Sequence, residues 1–227
     1  MGNISIMRVY EFVHRYIYAT IVMILFRPYF RAYRGFENIP RKKGNTIFIA
    51  NHDSLLDTFL LLPYLILRTR KIVYILGDRN TWKSNPFYAF ISRITSNGSI
   101  LMDRDNPEDV SKGLHDCIRK LRESGFVLIF PEGTRGIPHN IAEFKKGIYV
   151  IAFRSKATIV PVYLMNVSLL SCKGKRFPSC FNALFKLSIH VGSEIGYAEY
   201  SPFRKKPDEF CEYLRERVSQ LRYADIR

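Results

Sequence analysis

The stretch Asn51-His52-Asp53-Ser54-Leu55-Leu56-Asp57 sets an imidazole five positions ahead of a carboxylate. Such a pair can do base chemistry. A carboxylate that accepts from one ring nitrogen fixes the tautomer and leaves the other nitrogen to take a proton. Spacing limits how the two can meet. Five helical steps turn through about 140° beyond a full circle, so His52 and Asp57 do not share a helix face. They meet only if His52 lies in the turn before a helix and Asp57 in its first turns. An alternative stays open for Asp57, because Ser54-Leu55-Leu56-Asp57 also fits a capping box. His52 alone is equally compatible with a satisfied core histidine.

A second polar cluster, Phe130-Pro131-Glu132-Gly133-Thr134-Arg135, follows an apolar run. Gly133 lets backbone amides approach a ligand closely. Thr134 can donate a hydrogen bond, and Arg135 can grip a phosphate with two parallel bonds. Glu132 can accept from substrate hydroxyls. Taken alone, the cluster reads equally as a tight turn with a solvated arginine. Arg104, closing the segment from Asn97, is a candidate second phosphate ligand. Lys145 and Lys146 add cations shortly after the second cluster. Pro161, between Val160 and Val162, interrupts an apolar strand, which implies an edge, a bulge, or backbone left open beside a ligand.

Both clusters follow short apolar runs. Residues 46–50, 72–76, 99–102, 126–130, 158–164 and 185–191 read as strands, and 55–67, 107–122, 145–154 and 207–221 as helices. Asn106 suits an N-cap, with Pro107 in the first turn and Val110, Leu114, Ile118 and Leu121 on one face. The last helix presents Phe210, Leu214, Val218 and Leu221. This alternation predicts an α/β fold whose central sheet, largely parallel or mixed, is covered by helices. In such sheets ligands bind at the carboxyl ends of the strands.

Composition points to an anionic partner. Lys and Arg number 35 against 20 Asp and Glu in 227 residues, a formal charge of +15. That excess is beyond what solubility needs, and suits nucleic acid, an anionic membrane or phosphorylated small molecules. Cys117, Cys172, Cys180 and Cys211 form no CxxC pair, so neither a zinc site nor a redox dithiol is indicated, and a reduced compartment is the default. The start misses the myristoylation pattern, because Ile6 stands where Ser or Thr is wanted. Residues 16–26 are uncharged and mostly apolar, but too few to span a bilayer. No small-residue cleavage site follows them. Arg27, Arg31 and Arg34, with Tyr10, Tyr16, Tyr18, Tyr29, Phe30 and Tyr33, predict a helix lying in a membrane interface. Hydropathy alone fits a buried core helix as well. The expected division is a membrane-docking segment, 1–34, and a main domain, 35–227.

Together these stretches resemble the glycerolipid acyltransferase family that includes the 1-acyl-glycerol-3-phosphate acyltransferases. Its NHxxxxD motif stands here as Asn51, His52 and Asp57, and its second motif ends in Arg, here Arg104. FPEGTR runs from Phe130 to Arg135, and Pro161 matches a proline between apolar residues. Order and spacing agree over about residues 35–195. One departure is Gly136, where the family commonly has Ser. The resemblance implies that His52 deprotonates an acceptor hydroxyl, which attacks the thioester of acyl-CoA or an acyl-carrier protein, while Asp57 orients His52. It implies that Arg104, Glu132, Gly133, Thr134 and Arg135 hold the glycerol phosphate, supported by Asn51, Lys145, Lys146 and Pro161. The apolar segment 16–26 with its flanking arginines predicts a monotopic position at the cytoplasmic face of a membrane. The resemblance implies no metal and no cofactor, phosphatidic acid as product, and membrane phospholipids rather than nucleic acid as partners. Consistent with that, the chain has no GxSxG elbow and no His-rich ligand set. Competing acceptors are glycerol 3-phosphate, a lyso-aminolipid or another lysophospholipid, since groove residues outside the motifs decide. A basic nucleic-acid-binding protein accounts for the charge, but no recognised binding motif supports it. A non-catalytic membrane-binding protein would leave His52 dispensable.

Overall fold

The computed structural model describes residues 13, 16–41, 44–54, 56–84, 98–123, 125–170 and 183–223. Residues 1–6, Tyr10, Leu55, Asn97, Cys172 and Cys180, on which expectations were placed, lie outside them.

One sheet holds seven strands: β1 (Phe30–Arg34), β2 (Thr46–Ala50), β3 (Val73–Asp78), β4 (Ser99–Met102), β5 (Phe126–Ile129), β6 (Thr158–Met165) and β7 (Leu187–Val191). Their order is β1-β7-β6-β2-β5-β3-β4. Every pairing is parallel except β6 with β7, so the sheet is largely parallel, as the sequence predicts. β2, β5 and β7 are buried along their whole length. Full burial on both sides is what a sheet covered on both faces produces, and β2 and β5 are accordingly almost wholly apolar. The two-residue period still sorts side chains between two cores. Phe48, Ala50, Phe126 and Leu128 enter one, and Ile47, Ile49, Val127 and Ile129 the other.

The first core is covered by α1 (16–26) and α2 (Asp57–Thr69), with Trp82 added from α3 (Arg79–Ser84). The second is covered by α4 (Pro107–Arg122), α5 (Gly147–Ser155), the short α6 (Tyr197–Tyr200) and α7 (Pro207–Gln220). Asn106 caps α4 as expected: its side-chain oxygen accepts from the amides of Glu108 at 3.0 Å and Asp109 at 3.2 Å. Phe210, Leu214 and Val218 are the buried face of α7.

The structure departs from expectation at several elements, of which three have a clear reason. The strand expected from 185 starts at Leu187, because Phe185 takes a left-handed φ of 54°. The helix expected from 145 starts at Gly147, because the Lys145 amide still donates to Pro131 O at 2.8 Å in the preceding loop. Phe30 and Tyr33, expected in the flank of an interfacial helix, belong to β1, which pairs with β7. The residue before a proline is disfavoured in the helical region, and α1 stops at Phe26, ahead of Arg27-Pro28.

α1 is buried on one face and exposed on the other. Tyr18, Ala19 and Val22 are buried, and the Tyr18 and Phe26 rings meet Phe59 of α2 edge-on. The opposite face exposes Ile17, Ile21, Ile24 and Leu25, each more than half accessible. No described helix is long and apolar enough to cross a membrane.

Candidate active site

The first motif begins where β2 ends. Asn51 is fully buried, and its amide extends the β2·β6 ladder by one rung: Nδ2 donates to Leu164 O at 3.0 Å, and Oδ1 accepts from Leu164 N at 2.7 Å. Asn51→Ala would leave both Leu164 groups unpartnered in the core. It is expected to cost about 1–3 kcal/mol, read as a lower urea midpoint. An unchanged midpoint would remove Asn51 from the scaffold.

The next residue leaves the strand, and its ring meets the carboxylate expected of it. His52 Nδ1–H donates to Asp57 Oδ2 at 2.9 Å. His52 lies in the turn and Asp57 is the first residue of α2, the one arrangement the spacing allows. The capping alternative also holds in part, because the same Oδ2 accepts from Ser54 N at 2.8 Å. One buried oxygen thus closes the turn and fixes the imidazole. The ring stacks on Phe130, centroids 4.3 Å apart and planes 25° apart. Its side chain is 15% accessible.

FPEGTR leaves the carboxyl end of β5, adjacent to β2. Glu132 departs from the expected contact with substrate hydroxyls. It is 1% exposed; Oε1 accepts from His52 N at 2.7 Å and Oε2 from Ala142 N at 2.9 Å. The Gly136 amide donates to His52 O at 2.8 Å. Both backbone polar groups of the candidate base are therefore held by the second motif's loop. Gly136 sits tightly there, since a Cβ would lie 3.0 Å from Glu132 Oε2. Gly133 has a φ of +75°, and the Lys145 stem crosses it. Burial pushes the Glu132 carboxyl above its ordinary value, and hydrogen bonds from Ala142 and His52 offset only part of that. Asp53 is raised as well, by burial and then by the neighbouring Asp57 charge.

Two cavities meet at this edge, sharing Leu76, Arg104, Phe130, Gly133 and Thr134. The smaller, about 120 Å³, is lined by His52, Arg104, Thr134 and Arg135 among others. The larger, about 560 Å³, is an apolar groove between α4 and α5, walled by Met102, Val110, Leu114, Ile129, Ile148 and Val150. Lys145 and Lys146 stand at its rim, and Lys146 pairs with Asp208 at 2.9 Å.

Among the sequence candidates, Asn51, Asp57 and Pro161 line neither cavity; the first two act from behind, and Pro161 stands apart. It lies inside β6, which has neighbours on both sides, so it marks no sheet edge. Its carbonyl accepts from Gly192 N at 2.8 Å. Proline has no N–H to return that bond, so the β6·β7 ladder ends at Val162↔Val191.

Other residues enter the site unannounced. Thr58, Asp78 and Trp82 line the smaller cavity. Burial pushes the Asp78 carboxyl up, but hydrogen bonds from Thr81 and the charge and amide of Arg104 outweigh it and hold the carboxyl below its ordinary value. The Trp82 indole lies so close to Gly77 that a Cβ there would stand 2.5 Å from Nε1. The spacing of Asp78 and Thr81 is a turn-closing signal in the sequence; nothing comparable marks Trp82.

Known proteins resemble this chain in sequence and in fold. The family model described as Acyltransferase matches residues 31–165. A 1-acyl-sn-glycerol-3-phosphate acyltransferase of Chlamydomonas reinhardtii is 30% identical over 186 residues, covering 82% of this chain and 51% of that protein. One of Borreliella burgdorferi is 28% identical over 172 residues, covering 76% and 64%. The chain thus spans about half to two thirds of the length of these relatives. The crystal structure of the 1-acyl-sn-glycerophosphate (LPA) acyltransferase PlsC from Thermotoga maritima superposes with a TM-score of 0.68 at 20% identity, covering 100% of this chain and 85% of that one. At that identity it shows a shared fold.

Proposed function

Because this chain belongs to the acyltransferase family, we propose that it moves a fatty acyl group from acyl-CoA or an acyl-carrier protein to the sn-2 hydroxyl of 1-acyl-glycerol 3-phosphate, giving phosphatidic acid. The observation that carries the reading is the His52–Asp57 contact at the junction of a polar cavity and an apolar groove. The acceptor hydroxyl gives its proton to His52 Nε2, and its oxygen attacks the thioester carbonyl. The C–S bond then breaks, and His52 returns the proton to the departing thiolate. Asp57 keeps the ring oriented and balances its charge while it is protonated. Arg104, Thr134 and Arg135 suit the phosphate, and the groove between α4 and α5 suits an acyl chain. No step calls on a metal, a cofactor or an acyl-enzyme. The names of the relatives support this acceptor.

The test is thiol release with a panel of acceptors. Lysophosphatidate is expected to be used best; turnover only with glycerol 3-phosphate or a lyso-aminolipid would replace the acceptor. Arg135→Ala and Arg104→Ala should each raise the acceptor KM by roughly ten- to a hundredfold, the worth of a charge-assisted bond, and leave the thioester KM nearly unchanged. Equal losses with unphosphorylated acceptors would count against phosphate recognition.

The exposed stripe of α1 supports a monotopic position at the cytoplasmic face of a membrane, with Arg27, Arg31 and Arg34 toward anionic headgroups. Deleting 1–34 would also remove β1, so substitutions test this better. Ile17→Ser, Ile21→Ser and Ile24→Ser together should weaken co-sedimentation with anionic vesicles by at least roughly tenfold, with the fold intact. High salt alone should extract the unaltered protein poorly. Complete release by salt would remove α1 as the anchor.

A further inference from the structure

We propose that a cavity at the opposite, amino-terminal edge of the sheet, framed by Tyr149, Phe153, Tyr197, Arg154, Lys156 and Arg204, is a second binding site, for a phosphorylated nucleoside. Its volume is about 430 Å³, within the range of small-molecule pockets. It lies away from the catalytic residues. α5 starts at Gly147, on the apolar groove, and Arg154 is seven residues further on, about 10 Å along the helix. Lys156 precedes the start of β6, where the Thr158 amide donates to Asn45 O at 3.0 Å just ahead of β2. His52 follows the other end of that strand.

Charge selects an anion. Among the described residues, none of Arg154, Lys156 and Arg204 forms an ion pair with a carboxylate. Glu199, the acid on α6, pairs instead with Arg217 at 3.9 Å and accepts from the Tyr213 hydroxyl at 2.6 Å. Lys156 lies over the Tyr197 ring at 5.4 Å, and Arg154 Nη1 stands 3.4 Å from His115 Nε2. Three cations around one hollow, without acidic partners, favour a multiply charged phosphate.

Shape selects a flat apolar group beside that charge. The Tyr149 and Phe153 rings are 4.5 Å apart, and Tyr197 stands edge-on to Phe153 at 6.3 Å. The Lys205 amide donates to the Tyr149 hydroxyl at 3.1 Å and fixes that ring. Aromatic faces of this kind bind nucleobases by stacking. Two sources offer the combined chemistry: the phosphorylated adenosine end of a coenzyme A thioester, and a free nucleotide. Val150 lines both this cavity and the apolar groove, so the two adjoin.

The test titrates adenosine 3′,5′-bisphosphate into the full chain by calorimetry. Saturable binding is expected, weakened by roughly tenfold or more in the double variant Lys156→Glu, Arg204→Glu, with folding checked by circular dichroism. Tyr197→Ala should weaken the bisphosphate but not inorganic pyrophosphate. No binding, binding unchanged by charge reversal, or pyrophosphate bound as tightly as the nucleotide would each overturn the proposal. This arm is independent of the proposed activity. A kinetic arm, which rests on that activity, separates the sources. If the charge-reversed variant raises the KM for acyl-CoA but not for acyl-pantetheine, the ligand is the donor's nucleotide end. If nucleotide binding is lost and both KM values stand, it is a free nucleotide.

Discussion

His52→Ala should lower turnover by about 10²–10⁴-fold, the usual contribution of a general base, while the folded protein keeps its thermal midpoint. The side chain is 15% accessible and its ring lines the polar cavity, so truncation leaves no buried charge without a path to solvent. Asp57→Asn separates geometry from charge. Both described hydrogen bonds to Asp57, from His52 Nδ1 and Ser54 N, land on Oδ2. An asparagine oxygen in that place can accept both, yet carries no charge to balance an imidazolium. Asp57→Asn is therefore expected to lose turnover with little change in stability. Asp57→Ala should lose both, because the Ser54 amide is buried and would be left without its acceptor. Single-turnover thiol release on folded variants is the measurement. Wild-type turnover in His52→Ala would end the assignment.

How much of this was legible in the sequence depends on how local each signal is. The strand TIFIA, the capped helix from Pro107 and the His52–Asp57 contact follow from periodicity and spacing within short windows. β1 was hidden because Phe30 and Tyr33 look alike whether they flank an interfacial helix or face a core, and only pairing with β7, far along the chain, decides between them. Pro161 left an edge, a bulge or open backbone undecided for a related reason. A proline in an apolar run signals an unpaired side, but β6 is interior, and the unpaired side is where β7 pulls away at Gly192. Trp82 and the groove between α4 and α5 are products of the three-dimensional arrangement and leave no local mark. Glu132 was expected to face substrate hydroxyls and instead accepts from two backbone amides, since a motif reveals that a carboxylate is wanted and not whether it faces outward.

Glu132→Gln should therefore act through the scaffold. The two carboxylate oxygens serve one backbone amide each, His52 N at 2.7 Å and Ala142 N at 2.9 Å. A glutamine offers one oxygen, and its NH₂ would confront the other amide, donor against donor. The loss is on the order of 1–3 kcal/mol for the buried group left unmade. Because one of those amides belongs to His52, turnover should fall with stability, while the KM for the thioester changes little. A residue that instead bound substrate hydroxyls would show a raised acceptor KM at an unchanged thermal midpoint, and that result would reverse the assignment. The pH dependence gives a second check. Burial raises the Glu132 carboxyl in the folded protein, so between its ordinary value and the raised one the folded state binds the proton more tightly. Stability contributed by that proton is complete below the ordinary value and is lost as pH rises through the raised one. Glutamine cannot titrate and lacks this slope. The deficit of Glu132→Gln relative to the unaltered protein should be largest at the acid end of that window and narrow as pH rises, read from urea midpoints across it.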